Sequence, residues 1–464
     1  MSSSADDICK DLIKTYDTTA IEELTPELRH AFRFFAAQCT TLSRPVLSRL
    51  INNYYSPSNK PITKFIGGPK NLTVHYSAYF GKLIYIFGEF HQNKMDCTNF
   101  PETAALSGEP NNFMTIDDYM VQLYTNTDKF IDFFIEIPTF GKKQPGYSNT
   151  GFTIGGSNFR LNHLFQKFRT CISPNTRNDV ACQLGRTHFF DVRYINFIST
   201  DHISLVATKF KGAGIDENKI EETLKSIEVH DILSYIESCF YYSDTKERLK
   251  EYFTNIIYKN IYNSTPLFKM KDYDNKLSGY IMNFINHEIN EKIEKNYQNL
   301  QQNNHVLLEY NKKTVTAHII RSFVSLVNFF TSIACISVDL YLITRVFKEF
   351  NISRQASAGA FPNDQPNEAN NIVIYTGDNH AQRYRRFLNL CGFEVVGKTG
   401  KSEKGKDTDT CINMKYIHQP FFSEASKTKM DVPIFEDYIF DYDNTYDDEQ
   451  YLYDFFLRSI QNKN

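Results

Sequence analysis

Leu83-Ile84-Tyr85-Ile86-Phe87-Gly88-Glu89-Phe90-His91 is the stretch that decides the fold. It opens with an unbroken run of apolar residues, mostly aromatic or β-branched, the pattern of a strand buried on both faces. Gly88 ends the run and lets the backbone turn or be closely approached. Glu89 and His91 follow two residues apart, and on extended backbone their side chains point the same way. A carboxylate and an imidazole therefore stand at the carboxyl end of a buried strand, where open α/β sheets place their sites.

The same grammar recurs downstream. Asn371-Ile372-Val373-Ile374-Tyr375-Thr376 is a second apolar run, closed by Gly377-Asp378-Asn379-His380, and Ala381 to Leu390 then reads as a helix. One Gly-x-x-His after an apolar run arises by chance. Two copies, each with an acid after the glycine and each closing a buried strand, point to a shared site.

The segments between these motifs supply the rest of a sheet. Leu72 to Ser77 alternates like a half-exposed strand and pairs with the Leu83 strand through Gly81. The polar stretch from His91 to Asn112 reads as a loop lining the site. Thr115 caps a helix running to about Thr125. Phe130 to Pro138 is a third buried strand ending in Glu136, and strand, helix, strand in this order predicts a parallel unit. Glu136 is then expected beside Glu89 and His91 on one sheet edge. Phe159 to Ile172 is a basic amphipathic helix, and Thr187 to Phe197 a strand with Asp191 and Arg193 on one face. Phe393 to Val396 is the last core strand.

The predicted fold class is therefore α/β: a mostly parallel central sheet flanked by helices, with a large helical insertion. Residues 1–71 read as N-terminal helices packed on the core, and 72–215 as the first part of that core. Residues 216–350 form the helical insertion or cap, 351–400 the second part of the core, and 401–464 an acidic aromatic tail. Ser322 to Thr344 is long enough to span a membrane but carries Asn328 and Asp339, so it reads as a buried core helix. Gly400-Lys401-Ser402 lacks the first glycine of a phosphate loop, that position being Val395, and reads as a solvated hairpin.

Composition narrows the function. The chain has 464 residues and a net charge of −3, which gives no basic field for nucleic acid. Nine cysteines without a C-x-x-C pair indicate neither a disulfide framework nor a zinc knuckle, and imply a reducing, cytoplasmic setting. Phe and Tyr number 39 and 29 against no Trp, a bias that suggests AT-rich coding, as in a large DNA virus or a protist. A viral chain would sit in host cytoplasm or virion. Residues 431–454 hold nine acidic residues and no basic one, which gives either a packed tail or a docking segment for a protein partner.

Two imidazoles with carboxylates at one sheet mouth suit a divalent metal that activates water, with His91, Glu136 and His380 as ligands. Without a metal, His91 itself deprotonates water, oriented by Glu89 or Glu136. Arg193 then holds an anionic group or developing oxyanion. Asp191 with Arg193 alone reads as a structural ion pair. Both routes point to hydrolysis.

The order Gly88-Glu89-x-His91, a strand ending in Glu136, a later Arg193, then Gly377-x-x-His380 resembles the erythromycin esterase, TraB, ChaN and Tiki superfamily. The resemblance spans four short patches between about residues 83 and 396. It implies a mostly parallel α/β core and carries over Glu89, His91, Glu136 and His380, with Arg193 a looser match. It implies an amide or ester hydrolase acting on a small molecule or peptide, with a metal or a histidine activating water. The helical block, the N-terminal helices and the acidic tail depart from the pattern. They leave a catalytically inactive scaffold or virion component as the alternative.

Overall fold

The structure is a computed structural model that describes residues 62–90, 113–127, 129–138, 160–168, 171, 185–191, 245–258, 276–308, 317–350, 366–400 and 410–430. The loop after His91 and most of the expected N-terminal helices and acidic tail lie outside these residues; Phe65–Gly67 and Cys411–Asn413, which the sequence reading assigns to those two segments, are strands. In chain order the strands are β1 (Phe65–Gly67), β2 (Asn71–Ser77), β3 (Lys82–Glu89), β4 (Phe113–Thr115), β5 (Ile131–Pro138), β6 (Gly185–Asp191), β7 (Asn371–Gly377), β8 (Glu394–Gly400) and β9 (Cys411–Asn413). The helices are α1 (Ile116–Asn126), α2 (Arg160–Phe168), α3 (Lys246–Tyr258), α4 (Lys276–Leu308), α5 (Ala317–Val346) and α6 (Asp378–Leu390).

The fold is α/β, as the apolar runs predict. Among the described residues its main sheet has six strands, in the order β6-β5-β7-β3-β2-β8. β7 lies parallel to β3 on one side and to β5 on the other. β2 runs antiparallel to both β3 and β8, so β8 shares the direction of β3, β5 and β7. A smaller sheet orders β4-β1-β9.

The chain divides into two compact units. One holds the sheets, from residues of 1–137, 144–189 and 346–441, and the other takes residues 138–143, 190–345 and 442–464. In the second unit α3 packs on α4, Lys250 Nζ meets Glu294 Oε1 at 2.7 Å, and Phe253 meets Phe329 edge-on at 5.7 Å between centroids. Among the described residues no helix, α5 included, is long and apolar enough to cross a membrane.

Alternation along the central strands sorts the core of the first unit. Tyr85, Phe87, Phe133 and Tyr375 face α1 and α2, where they join Met120, Leu123, Leu164 and Phe168. The ring surplus of the sequence is spent here: Tyr85 stacks on Phe421 at 4.0 Å and Phe133 meets Phe168 edge-on at 5.1 Å. The opposite face carries α6. The alternating β2 sequence predicts a half-exposed strand, yet β2 is buried along nearly its whole length. It lies between β3 and β8, and its polar residues are covered by α6 rather than by water.

A buried polar latch seats β7. Asp132 on β5 takes Arg186 Nε at 2.7 Å and Nη2 at 2.9 Å, and lies 2.8 Å from His188 Nε2. The same guanidinium donates to the carbonyls of Pro366 and Glu368, and Lys82 Nζ donates to that of Ala369. Two buried cations thus hold three carbonyls of the segment that leads into β7. His188 lies between Phe134 and Phe350, with ring centroids at 4.3 and 5.4 Å. Burial alone would raise the Asp132 carboxyl, but the Arg186 charge and the hydrogen bonds from His188 and Arg186 hold it below its ordinary value.

Arg186→Leu leaves Asp132 charged, buried and without its guanidinium. We expect a loss of about 3–5 kcal/mol of unfolding free energy, read by urea denaturation.

Candidate functional site

The topology selects one place on the sheet. β3 leads through α1 to β5, passing over the face that holds Tyr85 and Phe87. β7 leads through α6 to β8, on the far side of β3 and over the opposite face. The connections therefore diverge between the carboxyl ends of neighbouring β3 and β7. Such switch points are where open α/β sheets bind ligands. Gly88-Glu89 and Gly377-Asp378-Asn379-His380 close these two strands.

Adjacent residues of β7 hold the acids of the strands on either side. Thr376 Oγ1 donates to Glu136 Oε2 at 2.7 Å, and the Gly377 N–H donates to the same oxygen at 2.7 Å. The other oxygen, Oε1, lies 3.5 Å from His380 Nε2. Both side chains are nearly covered, at 3% and 7% exposure, so the carboxylate depends on these partners for its charge. Tyr375, one residue earlier, donates its hydroxyl to Glu89 Oε2 at 2.5 Å. Burial, and then the Glu89 charge and hydrogen bond, push the Tyr375 phenol well above its ordinary value, so it stays a donor.

Tyr375 and Thr376 are consecutive on a strand and point to opposite faces. Glu89 and Glu136 therefore share the carboxyl rim but not the same side of it. Glu136 and His380 meet on the α6 face. Glu89 lies on the α1 face, where Arg160 Nη1 pairs with Asp117 Oδ1 at 3.3 Å and both act on the acidity of Tyr375. Glu89 is thus not beside Glu136 in the way the sequence suggests. Asp191 ends β6, buried, and the expected His91 and Arg193 lie outside the described residues.

Asp378 has a different task from Glu136. Its Oδ1 accepts from Asn71 Nδ2 at 2.8 Å and Arg385 Nη1 at 3.3 Å, and its Oδ2 from Gln382 at 3.3 Å. Arg385 also donates through Nη2 to Asn71 Oδ1 and through Nε to Thr73 Oγ1, the latter at 3.0 Å. His75 Nε2 lies 3.0 Å from that same Oγ1. Burial first, and the Arg385 charge second, lower the His75 imidazole from 6.5 to about 3, so it is neutral in the fold. Gly88 makes this arrangement possible. A Cβ there would stand within 3 Å of both Asp378 Oδ1 and Asn71 Oδ1. The glycine of the first motif is a close-approach glycine, with the acid of the second motif lying over it.

Sequence reasoning misses Asn71, Thr73, Thr376, Tyr375 and Arg385. Only Arg385 leaves a trace, a charged residue seven places after Asp378 on the same helix face.

The rim offers a divalent ion Glu136 Oε1 and His380 Nε2. Their 3.5 Å separation is close to the roughly 3.4 Å between two ligands of one tetrahedral ion. A catalytic centre of this type uses three protein ligands, so the described rim residues are one donor short. Among the described residues, the three-donor cluster is His287, Glu288 and Glu291 on α4, in the second unit. Glu291 there already pairs with Lys295 at 3.1 Å. The cysteine reading also changes, because Cys171 and Cys411 are disulfide-bonded. No family model, curated protein or solved structure matches this chain.

Gly88→Ala forces the Asn71–Asp378 pair off the strand. We expect a loss of about 1–3 kcal/mol in urea unfolding. A second test concerns pH. The folded His75 resists a proton that the unfolded chain accepts, so stability is full above 6.5 and falls as pH drops toward about 3. The expected slope from this group is about 1.4 kcal/mol per pH unit. His75→Gln should flatten the stability curve by that amount between pH 6.5 and about 4.5, above the range where Asp132 titrates.

Proposed function

We propose that this chain is a hydrolase that cleaves an amide or ester bond, with His380 as general base and Glu136 as the carboxylate that orients it. The observation carrying this reading is the covered Glu136–His380 contact, with the far carboxylate oxygen fixed by Thr376 and Gly377. A carboxylate immobilised in this way sets the ring angle and tautomer of its imidazole. The 3.5 Å separation is longer than a formed hydrogen bond, and such contacts commonly tighten when substrate binds.

The chemistry follows from the tautomer. With Nε2–H directed at Glu136, Nδ1 is the basic nitrogen. It takes a proton from water as the water oxygen attacks the substrate carbonyl, and Glu136 stabilises the resulting imidazolium. The carbonyl oxygen gains charge near the amino end of α6, whose dipole favours an anion. The bond to the leaving alkoxide or amine then breaks, and the proton on Nδ1 passes to it. The resemblance to the erythromycin esterase and Tiki superfamily supports the same class of reaction, with a small molecule or peptide as substrate.

The purified chain, assayed against p-nitrophenyl esters and a peptide library, should show turnover. His380→Gln and Glu136→Gln should each lower kcat by about 10²–10⁴-fold while the protein stays folded. Turnover that survives His380→Gln rejects the base. No turnover in the unmutated chain rejects the enzyme and leaves an inactive scaffold on this fold.

A further inference from the structure

We infer that Asn71 on β2 and Arg385 on α6 are positioning residues for His380, acting through Asp378; this rests on the reading of His380 as the base. The geometry is a closed ring. Asn71 Nδ2 donates to Asp378 Oδ1, Arg385 Nη1 donates to that same oxygen, and Arg385 Nη2 donates to Asn71 Oδ1. Arg385 Nε reaches the third acceptor, Thr73 Oγ1. The ring is buried, with Asn71 at 0%, Arg385 at 1% and Asp378 at 8% exposure. Water therefore does not compete for these bonds. Each lost partner leaves a polar group stranded.

The ring fixes the one freedom of α6 that matters for the base. Asp378 and Arg385 are seven residues apart, two turns of helix, and stand on one flank. His380 is two residues from Asp378 and so about 200° round the axis, on the other flank. The flank tied to β2 holds the helix, and the flank toward β5 carries His380 to Glu136. The bond from Gly377 N–H to Glu136 pins the residue that precedes the helix but not rotation about the axis. A rotation of about 20° would carry a side-chain tip about 2 Å. A misplacement of about 1 Å costs on the order of 10² in rate. The planar, forked guanidinium is the group that can meet three acceptors in fixed directions, which a lysine cannot do.

The test uses Asn71→Ser, Thr73→Val and Arg385→Lys in the full chain, each first checked for folding by urea denaturation. With p-nitrophenyl acetate as probe, kcat should fall by about tenfold or more while KM stays within about twofold. Arg385→Lys should keep more activity than Arg385→Leu. In a Glu136→Gln background the same substitutions should add little, since they act through the His380–Glu136 contact. A second arm needs no turnover. Carbethoxylation of His380 by diethyl pyrocarbonate, read by peptide mass, should speed up in the variants while His188 stays constant. Unchanged His380 reactivity and kcat in folded variants overturns the proposal, as do equal losses with and without Glu136. If Arg385→Lys does not fold, Thr73→Val, which removes a single acceptor, decides it. If the unmutated chain hydrolyses nothing, the hydrolase reading falls and the carbethoxylation arm alone judges the positioning.

Discussion

Everything in the sheet-bearing unit depends on β7 occupying the slot between β3 and β5. Those two strands do not touch each other, and each pairs with β7 through its whole central run. The contacts this makes are far apart in sequence: 286 residues between Glu89 and Tyr375, and 240 between Glu136 and Thr376. Closing a loop of that size costs only about 1.5 kcal/mol more than closing one a fifth as long. Burial of the strand repays this readily. The harder requirement is register, because a one-residue slip would exchange Tyr375 and Thr376 and release both acids. The cations Lys82 and Arg186, by gripping the carbonyls that precede β7, fix where the strand begins.

The parallel strands were legible because strands covered on both sides need runs of apolar residues, and Leu83–Phe87, Phe133–Ile135 and Ile372–Tyr375 provide them. The glycine-led motifs marked the carboxyl ends for the same reason, since a buried run has to stop where chemistry starts. What stayed illegible is polar burial. Leu72 to Ser77 alternates as a surface strand would, and nothing local reveals that an arginine more than three hundred residues away covers Thr73. Asp132 stands inside a largely apolar strand, and both of its partners, Arg186 and His188, arrive from β6, more than fifty residues on. Pairings of this kind live in tertiary geometry, which spacing along one segment does not encode.

The candidate site shows the same division. The strand ends place Glu136 and His380 at one rim, where the structure brings them to 3.5 Å, but the sharing of that rim by Glu89 and Glu136 hid their opposite orientation. The parity of β7 decides it, and parity is read only once the register is known. Cysteine spacing likewise carries no information about Cys171 or Cys411 finding a partner in space.

A growing chain on the ribosome meets the consequence of where β7 is encoded. After Ile137 has emerged, 240 further residues must be translated before Gly377 is available. At about 5–20 residues per second this takes on the order of 10–50 s. Throughout that interval β3 and β5 each lack the strand that covers one of their edges, and open backbone donors and acceptors beside apolar side chains are a template for pairing with another nascent copy. Until β7 is made, the equilibrium stability of the finished sheet gives those two edges no protection.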